Sequence, residues 1–214
     1  MNTDALLTTV RPGTAFFARQ LDGLTESDLD GGSLLPGWTR RHVVAHVGYN
    51  ARAIARLVAW ADTGVETAMY ESAEARDAEI ATGATLSPRE LRGLFDRSAA
   101  ELDAAWCALP ASAWSHPVRT SQGRIVPVSD TVWMRTREVW VHAVDLDNGA
   151  TFDQIPEDVL ERLIQDITGS WHKRGEGTLV PDGTLPEMAS WASGRGTRGV
   201  TSRKQPERPA PRWM

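Results

Sequence analysis

The chain has 214 residues, 41% of them hydrophobic and 24% charged, with a net charge of −5. That balance fits a soluble globular chain of one large domain, or one domain with a small appendage. There is no basic block, so nucleic acid is not an expected partner. No apolar run approaches the roughly 20 residues needed to cross a bilayer.

The opening "MNTDALLTTVRPG" lacks a basic stretch followed by an apolar core, so no secretory signal is expected there. A single cysteine, Cys107, excludes an internal disulfide and suits a reducing, cytoplasmic setting.

An amphipathic segment over roughly Asp4 to Leu21 reads as a helix, which Pro12-Gly13 should kink or split. Thr39 caps a helix that continues to Gly64. A short helix is expected from Ser72 to Thr82. "SPRELRGLFDRSAAELDAAWCALP" opens on a capping box, with Ser87 as cap, Pro88 in the first turn and Glu90 three residues on. It closes at Pro110. "HPVRTSQGRIVPV" suggests a hairpin turning at Gln122-Gly123. Two more helices run from Ser129 or Asp130 to Asn148-Gly149 and from Pro156 to Lys173. Four long helices with sizeable connections imply a mainly α fold, a four-helix bundle. After Gly175 the composition offers one short strand, one short helix and a Pro/Arg-rich tail. The expected division is a helical bundle over residues 1–174 and a segment over 175–214 that leans on it.

"TREVWVHAVDLDNG", residues 136–149, raises the chemical question. Glu138, His142 and Asp145 fall at intervals of four and three, which puts them on one stripe of a helix. Trp133, Val139, Trp140, Val141 and Val144 leave little of that helix free for solvent. A buried carboxylate and imidazole need partners, and a divalent ion would satisfy both. Asp145 would then orient a ligand or bind substrate. Otherwise it is a surface carboxylate in the last turn.

His42 and His46 lie four apart on an earlier helix, and either could supply a third ligand. His42 follows Arg40-Arg41 and reads as exposed. His46 lies between Val44 and Val47 and reads as inward. Two imidazoles and a carboxylate suit a catalytic zinc site with an open position, and also non-haem iron. His116 and His172 read as structural or surface residues. Cys107, in the last turn of its helix, reads as an inert core thiol, because the helix dipole there disfavours a thiolate.

"LLPGWTRRHVVAHVGYNARAIARLVAWADTG", "ARDAEIATG", "VWMRTREVWVHAVDL" and the closing "PRWM" resemble the mycothiol-dependent maleylpyruvate isomerase family. The likeness runs from about residue 14 to about residue 172 and resumes at "ASGRGTRGVTS". It implies a DinB-like bundle, a zinc ion held by His46, Glu138 and His142, and mycothiol as thiol cosubstrate. It also implies a substrate-binding role for Arg195. Arg135 and Arg137 are further arginines that could meet substrate carboxylates. The family carries a small α/β domain at its C-terminus. Here that stretch is brief, so a shortened α/β appendage is expected.

The implied reaction is the cis-to-trans conversion of maleylpyruvate to fumarylpyruvate in gentisate breakdown. A thiol from a cosubstrate fits a chain whose one cysteine reads as inert. The expected partners are therefore small molecules, with no membrane and no second subunit. A mycothiol S-transferase acting on another electrophile would share every motif, and a non-catalytic metal- or thiol-binding module is the reading from another class.

Overall fold

The structure is a computed structural model, and it describes residues 6–176 and 182–196. Its described helices are α1 (Val10–Asp22), α2 (Arg40–Thr63), α3 (Ala73–Gly83), α4 (Pro88–Ala108), α5 (Asp130–Asp145), α6 (Glu157–Lys173) and α7 (Leu185–Ala192). One hairpin, β1 (Pro117–Arg119) with β2 (Ile125–Pro127), sits between α4 and α5. None of the described helices is long and apolar enough to cross a membrane.

Local chemistry sets most of these boundaries. Ser87 Oγ accepts from the Glu90 amide while the Glu90 carboxylate accepts from the Ser87 amide, so two of the orphan amides opening α4 are satisfied. Ser72 caps α3 through the Ala75 amide. Gly64 ends α2 at φ 75°, a left-handed position that a side chain would strain. In the hairpin Val118 faces Val126, and Gly123 turns the chain at φ 77°.

The expected break comes just before Pro12: Leu6 is helical, residues 7–9 form a turn, and a new helix starts at Val10. The described helix begins at Val10, so Pro12 falls in the first turn, where its missing N–H costs no helical hydrogen bond. Gly13 is required for packing: a Cβ there would meet Trp140 Nε1 at 2.6 Å.

The chain divides into two compact units, Met1–Asn148 and Gly149–Met214. In the first, α1, α2, α4 and α5 pack as a four-helix bundle, and α3 lies on α2. Phe16 meets Trp140 at 5.1 Å and Phe17 meets Phe95 at 4.9 Å, which fastens α1 to α5 and α4. Ile54, Leu57, Leu102, Trp106 and Trp114 form the buried centre with the hairpin's Val118.

The division falls at 148/149 where the sequence suggested 174/175. The helix Glu157–Lys173 buries Val159, Leu160, Leu163, Ile167 and Trp171 and packs with α7, Trp171 meeting Trp191 edge-on at 5.6 Å. The N-terminal helix α1 is a member of the bundle, and α6 belongs to the second unit. In the second unit the expected short helix is α7, and its expected strand lies outside the described residues.

Candidate metal centre

His46 lies in the second turn of α2, and Glu138 and His142 in the last half of α5. All three are buried, with 5%, 7% and 3% of their surface exposed, so their polar atoms must satisfy one another. Glu138 Oε2 is 2.9 Å from His46 Nε2 and 3.2 Å from His142 Nε2. One donor atom from each residue lies within 4.8 Å of the others, a spacing that one ion could bridge. The two imidazole rings stand edge to face, centroids 4.7 Å apart.

Asp145 is completely buried, and its Oδ2 is 2.7 Å from His142 Nδ1. It is therefore not a surface carboxylate. It fixes the ring so that Nε2 points towards Glu138, the arrangement by which carboxylates orient histidine ligands. The Glu138–His142–Asp145 stripe predicted from spacing is thus one connected set.

Electrostatics follows from burial and these contacts. Burial alone would raise the Glu138 carboxyl, but hydrogen bonds from His142 and His46 outweigh it and hold it well below its ordinary value. Burial pushes His46 down. For His142 burial acts in the same direction, yet the hydrogen bonds to Asp145 and Glu138 prevail and its pKa lies above that of an ordinary imidazole. Proton and metal would therefore compete at His142. Two imidazoles, one carboxylate and a buried orienting carboxylate fit a zinc ion with an open fourth position.

His42 is not part of this group. Its Nδ1 meets the Thr39 hydroxyl at 2.8 Å and accepts from the Thr39 amide, so it closes the N-terminus of α2. His116 Nδ1 bonds the Ala61 carbonyl at 2.6 Å, a structural contact, and His172 is exposed at the end of α6. Cys107 is exposed, not in the core, and lies 3.1 Å from Arg11 Nη2. Arg195 follows α7 in the second unit, its amide on the Ser190 carbonyl and its guanidinium on that of Ser193.

Sequence reading missed several neighbours. Arg76 Nη2 on α3 is 3.4 Å from His46 Nδ1. Trp38 packs edge-on to the His46 ring at 5.6 Å. Tyr70 is pushed up to about 12 by burial and by the nearby Glu138 charge, so it stays a phenol donor. Arg40 bonds the carbonyls of Leu146 and Asp147, which ties the end of α5 to the start of α2, the helices that carry Glu138, His142 and His46.

Residues 10–147 match the family described as the mycothiol maleylpyruvate isomerase N-terminal domain. The chain belongs to the mycothiol-dependent maleylpyruvate isomerase family. It is 44% identical to a protein solved as "Crystal structure of the mycothiol-dependent maleylpyruvate isomerase", over 100% of this chain and 98% of that one, with a TM-score of 0.96. A second solved structure, of a mutant in which one histidine of that enzyme is alanine, matches at the same identity, coverage and TM-score. Against these two the C-terminal segment is not short, since 98% of each is covered. A comparison with curated protein sequences finds no match.

Proposed function

We propose that this protein is a mycothiol-dependent maleylpyruvate isomerase whose zinc ion is held by His46, Glu138 and His142. The observation that carries the reading is the buried His/Glu/His group with Asp145 behind it, in a chain 44% identical over its full length to that enzyme. A bound zinc ion would lower the pKa of the mycothiol thiol, so that the competent nucleophile, a thiolate, is present at neutral pH.

The chemistry needs no oxidant. The thiolate sulfur adds to the cis double bond of maleylpyruvate, and the π pair moves onto the conjugated carbonyl oxygen. The former double bond is now single and rotates. The pair returns, the C–S bond breaks, and the trans alkene leaves with the thiolate restored.

The chain's residues have separable tasks. Asp145 is a positioning residue that keeps the His142 proton on Nδ1. His46 accepts from Arg76 at Nδ1 while its Nε2–H faces Glu138. Were Nε2 to ligate a metal, the ring proton would lie on Nδ1, and Arg76 Nη2 would lose that acceptor while Nη1 stays paired with Asp77. Arg195 is the proposed partner of a substrate carboxylate or of the developing enolate. Tyr70, held as a phenol, can donate but not act as a base.

The test is turnover of maleylpyruvate by zinc-loaded protein with mycothiol, beside a generic electrophile. Isomerisation is expected, and thiol conjugation without isomerisation would point to an S-transferase instead. In Glu138→Ala both zinc retention and turnover should be lost. Zinc held at full stoichiometry by that variant would refute the ligand set.

A further inference from the structure

A cavity of about 370 Å³ lies between α1 and α4 in the first unit, away from the His/Glu/His group. Its walls include Val10, Ala18, Phe95 and Ala99, and Arg135 of α5 lines it. Arg135 is 1% exposed. Its Nη1 is engaged by the Val47 carbonyl at 2.7 Å and Asn50 Oδ1 at 3.0 Å. Among the described residues its Nη2 is buried with no hydrogen-bond partner. Val47 and Asn50 are neutral, and Glu138, one turn along, offsets the charge without giving Nη2 an acceptor. A guanidinium with a spare donor in an apolar cavity calls for an anion.

The rim narrows the choice. Arg11 at the mouth is paired with Asp103 at 2.8 Å, and Asp96 stands exposed beside it. One unneutralised carboxylate at the mouth and one arginine at the floor favour a ligand with a single negative charge and an apolar body. A dianion would place its second charge near Asp96. We propose that this cavity is a second ligand site, which takes a small monoanionic carboxylate, ring or short chain, with its carboxylate on Arg135. It is separate from the proposed reaction, whose substrate carries two carboxylates.

Benzoate is the probe, with benzamide as its neutral analogue and phthalate as the dianion. NMR titration of the zinc-loaded protein should show saturable benzoate shifts at Ala18 and Ala99, and weaker binding of benzamide and phthalate. Arg135→Met should weaken benzoate at least tenfold, the size expected for losing a charged hydrogen bond, and leave benzamide unchanged. Ala99→Leu keeps Arg135 but fills the cavity, and should abolish binding of both. Benzoate shifts confined to the surroundings of His46 and His142, unaltered affinity in Ala99→Leu, equal binding of benzamide, or no saturable binding at millimolar benzoate would each overturn the proposal. Tighter phthalate than benzoate would do the same.

Discussion

Asp145→Asn is the substitution that separates orienting a ligand from touching substrate. Asp145 is fully buried and its carboxylate lies 2.7 Å from His142 Nδ1, a short charge-assisted contact. Asparagine keeps the shape and one acceptor oxygen but removes the charge. Loss of such an outer partner costs roughly ten- to hundredfold in metal affinity, equivalent to about 1.4–2.7 kcal/mol. Alanine would be a poorer choice, because it strands the His142 N–H in the interior at about 1–3 kcal/mol of stability and confounds the reading. Competition against a chromophoric zinc chelator at fixed pH measures the affinity, with thermal unfolding run alongside. Turnover should recover at saturating zinc. Unchanged zinc affinity in a folded variant would refute the orienting role, and turnover that stays low at saturating zinc would place Asp145 against the substrate instead.

Zinc retention should weaken as pH falls. Metal-free His142 has a pKa above the ordinary imidazole value of about 6.5, and its protonated form cannot ligate. Affinity is therefore full above that raised pKa and falls as pH drops through it, beginning nearer neutrality than for an ordinary histidine; chelator competition across pH checks the sign. The two histidines of α2 should divide cleanly. His42→Ala should retain zinc and lose about 1 kcal/mol of stability, the usual size of a lost cap, whereas His46→Ala should lose zinc, as measured by elemental analysis and thermal unfolding.

The buried group of Glu138, His142 and Asp145 was legible because its helix is otherwise apolar. Glu138, His142 and Asp145 interrupt a run of valine and tryptophan at helical spacing, and polar groups that interrupt a buried face need partners. His46 could be preferred over His42 because valines flank it. The cap of α4 could be read from Ser87 with Glu90, since a cap is a local device. What failed was tertiary. Both α1 and α6 carry an apolar face, and nothing local says that the boundary between the compact units falls before α6 rather than after it. Cys107 reads as an inert core thiol in the last turn of its helix, but it lies about 100° round from the buried Trp106, and that one-residue turn carries the thiol to solvent. Arg76 belongs to a half-exposed helix and is 30 residues from His46, so only the packing of α3 on α2 reveals their contact.

The charges around the site argue for the nature of the fourth ligand. Without metal, and when His142 carries the proton that its hydrogen bonds to Asp145 and Glu138 favour, Arg135 and His142 balance Glu138 and Asp145, so the buried set is close to neutral. A divalent ion that displaces the His142 proton leaves one surplus positive charge in a region largely closed to water. Uncompensated buried charge is costly, so the set favours an anionic ligand over a neutral one at the open position. A thiolate restores neutrality, and a protonated thiol or a water molecule does not. Cys107 cannot supply that sulfur, being on α4 and exposed to solvent. With a divalent ion bound, that balance would suit a thiolate brought in from outside the chain.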